Sequence, residues 1–275
     1  MDSSSSAPSS IEQAFELAML SDPGTDRPDN EDSCGHIIES PDTVMFAVAD
    51  GVGGYEGGEI ASRMAIDITL EAFRDSPPAW GAAKRLHRAI QRANIEIHDK
   101  ALTVPELGRM ATTLTAVAVE KGMLSAVHVG DCRLHLIRHS HIAQISKDHT
   151  MVADRVRMGV MSAARAKDHP ERGVLLRSLG RELIVSVDRI AMPLLERDRL
   201  ILCSDGMYNV LEQRELEELT RDVDPETACR QLIEMANQRG TADNLTCAVL
   251  RMTSPTGLTP TTGGWRDRLR RLFGR

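Results

Sequence analysis

Three aspartates in this chain stand against apolar runs. Asp50 closes Val44-Met45-Phe46-Ala47-Val48-Ala49, Asp205 follows Leu200-Ile201-Leu202-Cys203-Ser204, and Asp243 with Asn244 precedes residues 245–250. Short apolar, β-branched runs read as buried strands. Carboxylates beside such strands are seldom buried unless paired or bound to a metal. One Asp-Gly pair marks only a turn; three acids in the same relation to three strands mark a carboxylate metal site. Hard oxygen ligands select Mg²⁺ or Mn²⁺ over softer metals. One carboxylate bridging two ions suits Asp50, with the Gly51 carbonyl as a further oxygen. Two such ions, about 4 Å apart, generate hydroxide near neutral pH and clamp an in-line displacement at phosphorus. A phosphate substrate calls for a bidentate cation, and Arg27, set among acids in the polar loop 24–32, is the candidate. The nine histidines are scattered, and none joins cysteines at zinc spacing.

The elements around these residues follow from periodicity. Residues 11–20 read as a short strand or helix, which their apolar positions do not decide. Ala61, Ala65, Ile68 and Ala72 fall at helical spacing, as do Leu86, Ile90, Ala93 and Ile97, with Ser76-Pro77-Pro78 as the break between two helices. These stripes are core faces. Residues 113–119, 123–129, 133–138 and 142–145 then read as four strands joined by short turns. Connections this short imply antiparallel hairpins, because parallel strands need a long crossover. A meander after two helices points to an α+β fold. The segment 147–180 reads as a flap over the site. Strands resume at 184–190 and 199–204. Asp224 with Pro225 caps a helix running to about Gln238, with Gly240 as its terminator.

A chain of 275 residues with 41% hydrophobic content buries a large core. Three regions follow: a serine-rich disordered tail at 1–10, one domain at 11–252, and a linker with a basic tail at 253–275. A net charge of −7 argues against nucleic acid as a partner. Cys34, Cys132, Cys203, Cys229 and Cys247 are odd in number and hold no C-x-x-C pair, so they read as free thiols in a reducing cytoplasm. No stretch reaches the roughly 18 apolar residues of a membrane span. The tail carries Trp265, Leu269, Leu272 and Phe273 among arginines; a soluble disordered tail is weighed over a membrane-surface helix. The protein is expected to be a monomer.

The chain resembles the metal-dependent PPM (PP2C-type) protein serine/threonine phosphatases in their compact bacterial form. The resemblance rests on Arg27-x-x-Asn30-Glu31-Asp32, Val48-Ala49-Asp50-Gly51-Val52-Gly53-Gly54, Ala111-Thr112-Thr113-Leu114, Gly130-Asp131-Cys132-Arg133, Asp148-His149-Thr150, residues 175–180, Ser204-Asp205-Gly206 and Asp243-Asn244-Leu245-Thr246. These run in the family's order over roughly residues 20–252. The resemblance implies a sandwich of two antiparallel β-sheets flanked by α-helices, with the metals at one end. Asp50 would bridge two Mn²⁺ or Mg²⁺ ions, with the Gly51 carbonyl on one of them and Asp205 and Asp243 on the other. Asp131, together with Asp205, matches the acid that holds a third ion in bacterial members. Asp32 and Glu31 would orient waters around the metals, and Arg27 would grip the phosphoryl oxygens.

The implied reaction is hydrolysis of phosphoserine and phosphothreonine by a metal-bridging hydroxide, on phosphorylated proteins that include a bacterial serine/threonine kinase. Two other readings stand beside it: an inactive phosphoprotein-binding module, and a partner-switching regulator phosphatase. Asp131 as a hairpin-turn residue and Asp32 as a turn or N-cap acid are the bland alternatives for those two acids. Asp148 and His149 are expected to fix a loop, and His128 to be a satisfied structural histidine. One departure matters. Some members place a histidine general acid directly after Asp-Gly, where this chain has Val52.

Overall fold

The apolar run that ends at Asp50 forms a strand buried on both faces. In β3 (Thr43–Val52), Val44, Phe46 and Val48 point into one core while Met45, Ala47 and Ala49 point into another. A strand without a polar face requires a layer on each side, and that requirement sets the architecture. The computed structural model describes residues 13–52, 56–77 and 79–254. In chain order the strands are β1 (Phe15–Asp22), β2 (Asp32–Ser40), β3, β4 (Ala111–Thr112), β5 (Leu114–Glu120), β6 (Met123–Val129), β7 (Arg133–Arg138), β8 (His141–Gln144), β9 (Asp188–Pro193), β10 (Arg199–Cys203) and β11 (Leu245–Met252). The α-helices are α1 (Glu56–Arg74), α2 (Ala82–Thr103), α3 (Met151–Arg157), α4 (Ala163–Lys167), α5 (Asp205–Tyr208), α6 (Gln213–Thr220) and α7 (Pro225–Gln238).

One sheet runs β1-β11-β10-β7-β8 and the other β2-β3-β5-β6-β9, with β4 paired to β3; every pairing is antiparallel. Between the sheets lie Val44, Phe46, Val117, Leu134, Leu200 and Leu250. Outside the second sheet, α1 and α2 bury Ala61, Ala65, Leu86, Ile90, Ala93 and Ile97 against Met45 and Ala47. Outside the first, Leu216, Leu232 and Ile233 of α6 and α7 cover Ile201 and Val249. The result is a four-layer sandwich of two antiparallel sheets flanked by helices, as the resemblance implies. Both helical stripes are core faces. Asp224 caps α7 by accepting from the Thr227 N–H at 3.0 Å. No described helix is long and apolar enough to cross a membrane.

One open reading is decided and two expectations change. The described part of the 11–20 segment enters strand β1, which edges the sheet against β11. The meander is interrupted after its first hairpin: β6 pairs with β5 and β9, whereas β7 pairs with β10 and β8. Gly130-Asp131-Cys132 therefore carries the chain from one sheet to the other. Gly130 makes this possible at φ +108°, where a Cβ would also lie 2.4 Å from that of Thr113. The strand expected at 184–190 is displaced to Asp188–Pro193, since the chain first crosses α2, where Asn94 Nδ2 donates to the carbonyls of Glu182 and Leu183. Residues 1–12, Gly53, Gly54 and everything from 255, including the basic tail, lie outside the described residues.

Candidate active site

Antiparallel pairing brings the acids to one end of the sandwich. Asp32 opens β2 directly opposite Asp50 in β3. Asp205 follows the end of β10 and Asp243 precedes β11, at the end where Cys203 pairs with Cys247. Asp131 sits in the crossover between the sheets and is buried, so it occupies no hairpin turn. Asp32 is likewise a buried strand residue and neither a turn nor a cap acid. Glu31, adjacent to Asp32, has a raised pKa through burial.

Backbone anchors hold these positions. The Asp50 N–H donates to Thr113 Oγ1 at 2.9 Å, and its carbonyl accepts from the Thr113 N–H at 2.9 Å and Thr112 Oγ1 at 2.8 Å. A Cβ on Gly51 would meet the Gly58 carbonyl at 2.3 Å. That glycine lets the first turn of α1 close onto the strand end. Ser204 Oγ donates to Asp32 Oδ2 at 2.7 Å, which ties the two sheets together beneath the cluster. Asn244 Oδ1 accepts from the Glu31 N–H at 2.9 Å, while its Nδ2 donates to the carbonyls of Pro23 and Asp29, both at 2.9 Å. Asn244 thus pins the Arg27 loop to the start of β11.

The electrostatics are those of charge packed against charge. Burial, then the charges of Asp32, Asp205, Asp131 and Asp243, push the Asp50 carboxyl well above the usual carboxylate range. Asp131 is raised in the same way by burial and Asp205. Asp32 is pushed up to about 7 and Asp205 to about 6, burial leading in each case. Like-charged acids forced together bind protons or cations. Among the described residues, no three carboxylate, imidazole or thiol groups close around a single point. The side chains gathered here are chiefly carboxylates, beside backbone carbonyls at the strand ends, and hard oxygen donors of that kind suit a hard divalent cation.

Arg27 reaches the cluster from the loop after β1. Its Nη2 lies 3.2 Å from Asp243 Oδ1 and its Nε donates to the Ala242 carbonyl at 3.1 Å. Arg133 grips Asp148 through Nη2 at 2.7 Å and Nε at 3.1 Å, and stacks 3.5 Å above the Tyr208 ring beside Asp131. The Gly130 N–H donates to His149 Nδ1 at 3.1 Å. Both Asp148 and His149 hold the crossover in place, the loop-fixing role expected of them. His128 is buried between Thr115 Oγ1 at 2.7 Å and the Lys147 carbonyl at 2.9 Å, a satisfied structural histidine.

A cleft of about 1330 Å³ opens on Asp131, Asp205 and Asp243 and runs between the segment 144–173 and the α5–α6 region. The flap segment, with α3 and α4, thus lies beside the acids. A smaller groove of about 530 Å³ around Trp80, between α1 and α2, has none of these acids in its lining. Ser204, Thr113 and Asn244 are supports that sequence reasoning missed. They fall inside the family motifs, but their residue types alone do not separate a support from a turn residue. Tyr208 lies outside those motifs and carries no comparable signal.

Comparison with known proteins matches this arrangement. Residues 26–249 match the family described as Protein phosphatase 2C. The chain is 33% identical over 229 residues to the serine/threonine phosphatase stp of Listeria monocytogenes, covering 82% of this chain and 91% of that protein. The structure of the Mycobacterium tuberculosis serine/threonine phosphatase PstP/Ppp is similar at a TM-score of 0.79 and 32% identity, over 87% of this chain and 99% of that one. The catalytic domain of PstP in complex with two manganese ions is similar at a TM-score of 0.76 and 30% identity, again over 87% and 99%. The chain therefore belongs to the protein phosphatase 2C family of metal-dependent phosphoprotein phosphatases. It is, with them, a hydrolase.

Proposed function

We propose that this protein hydrolyses phosphoserine and phosphothreonine on other proteins, using two Mn²⁺ or Mg²⁺ ions held at the acid cluster. The observation that carries this reading is the convergence of Asp32, Asp50, Asp131, Asp205 and Asp243, all with raised proton affinity or within reach of one another's charge, with Asp131, Asp205 and Asp243 lining a cleft. Asp50 with the Gly51 carbonyl, Asp205 and Asp243 would hold the two ions. Asp131 with Asp205 would hold a third. When bound, the ions supply Lewis acidity, lowering the pKa of water and neutralising charge that develops at phosphorus. The manganese in the PstP catalytic domain supports the choice of metal.

The chain's own groups do the positioning. Arg27, at the rim and half exposed, turns its guanidinium from Asp243 to the phosphoryl oxygens, where two parallel N–H donors fix orientation. Glu31 and Asp32 accept hydrogen bonds from water at the cluster. Thr112, Thr113 and Ser204 keep Asp50 and Asp32 from moving as charge changes nearby. Free thiols at Cys34, Cys132, Cys203, Cys229 and Cys247 support action in a reducing cytoplasm, opposite a serine/threonine kinase.

The test is phosphate release from a phosphothreonine peptide by chelator-treated protein as Mn²⁺ is restored. Turnover that rises from zero with Mn²⁺ is expected. A protein that binds the peptide yet releases no phosphate at any Mn²⁺ level would be a binding module, and the reading would fail.

A further inference from the structure

The cleft has a second chemical character beyond its acid head. Arg133 is neutralised by Asp148, and the charge of Arg172 reaches Asp205. The remaining charged lining consists of Lys147, Arg157, Lys167 and Arg214, against Asp168 and Glu212. This wall is basic in a chain whose net charge is −7. Two of its cations are already matched on their own helices: Arg157 pairs with Asp154, and Arg214 with Glu218 at 2.9 Å. Lys147 is exposed and has no carboxylate partner among the described residues. Lys167 meets Glu212 at 3.3 Å, a contact that spans the cleft from α4 to the residue before α6. Both members are well exposed, at 64% and 71%, and an ion pair so hydrated is easily exchanged.

We propose that this wall makes the enzyme selective for phosphosites flanked by anionic side chains. Lys147 takes one anion directly. Lys167 takes a second by exchanging Glu212 for the substrate's group. The inference rests on the phosphatase reading of the acid cluster and adds to it the class of protein substrate. The flanking anion is a carboxylate or a second phosphoryl group, since both present oxygens to an ammonium. Metal ions held at the acid cluster would offset its negative charge, which leaves Lys147 and Lys167 to set the sign of the field along the rest of the cleft.

The experiment compares kcat/KM of the full chain with Mn²⁺ on phosphothreonine peptides that differ only in their flanks: Asp/Glu, Ala, doubly phosphorylated, or Lys. The anionic peptides should be favoured over the Ala peptide by about three- to tenfold, through KM, as two exposed ion pairs allow. That preference should shrink toward unity between low and high salt. Lys147→Ala and Lys167→Ala should each remove part of it, and the double variant all of it, with p-nitrophenyl phosphate turnover unchanged. Lys167→Arg should retain it. Glu212→Gln, which keeps an oxygen for the α6 cap but frees Lys167, should enlarge it. A preference for one anionic peptide over the other tells carboxylate from phosphate recognition. Equal turnover on all flanks, or a preference that survives the double variant, overturns the inference while p-nitrophenyl phosphate hydrolysis leaves the phosphatase reading standing. Absence of turnover on every substrate overturns both.

Discussion

Replacing Asp32 with Asn removes one charge from the acid cluster and leaves its support in place, because the amide oxygen still accepts from Ser204 Oγ. In the metal-free protein the Asp32 carboxyl is raised from 3.8 to about 7, chiefly by burial and then by Asp205 and Asp243 against the pull of Ser204 and Thr246. A folded-state pKa above the unfolded one means that the native chain holds a proton the unfolded chain has lost. The group therefore costs no stability below about pH 4, and its charge becomes destabilising as pH rises to about 7. At about 1.4 kcal/mol per pKa unit, that rise is worth on the order of 4 kcal/mol. Without Asp32, Asp50 and Asp205 ionise more readily and take back part of the gain, so the expected net stabilisation by Asp32→Asn at pH 8 is roughly 1–3 kcal/mol. Urea denaturation of chelator-treated protein from pH 4 to pH 8 measures it. The native chain should lose stability as pH rises, and the variant should follow a flatter curve. A metal-free protein that gains stability between pH 4 and 7, or a variant weakened equally at both ends, would show that Asp32 is a structural acceptor whose charge is welcome.

Asp50→Asn and Asp243→Asn should each abolish Mn²⁺-dependent phosphatase activity while near-ultraviolet circular dichroism stays native; loss of folded protein would instead make these acids structural. Arg27→Ala should raise KM for phosphopeptides, and calorimetric Mn²⁺ affinity should hold or increase, because Arg27 competes for Asp243 at 3.2 Å. A collapse of that affinity would remove Arg27 from the phosphate site. Asp131→Asn should cripple phosphothreonine hydrolysis and affect p-nitrophenyl phosphate far less, since an alkoxide needs a proton on departure and positioned donors contribute about 10²–10⁴-fold. Equal losses on both substrates would tie Asp131 to metal assembly or nucleophile formation, and no loss on either would leave it structural.

Much of the fold was legible because periodicity reports burial. The stripes of α1 and α2 and the Asp224-Pro225 cap were readable from local residues alone, since a helix face and a cap depend on neighbours within one turn. The sheet partners were not. The short connection at Gly130-Asp131 looks in sequence like the turns on either side of it, yet those two join paired strands and it changes sheets. Nothing local distinguishes them, because the partners β9 and β10 come more than fifty residues later. The segment before β9 was misplaced for a related reason: Leu183 and Ile184 look like strand residues but remain exposed, at 54% and 79%, as the chain crosses α2.

The sequence by itself determined which residue types stood ready for chemistry. Carboxylates ending apolar strands are expensive enough to bury that their presence points to a cation, and their order along the chain identified the family. Tertiary structure alone decided that Asp32 faces Asp50 across a strand pair, that Asp131 is carried to them by a sheet-to-sheet crossover, and that Ser204 holds Asp32 from the opposite sheet at 2.7 Å. It also decided that Lys147 and Lys167 share the cleft with the acids. Distance in space is set by long-range pairing whose specificity is spread over the whole core, and no local pattern encodes it.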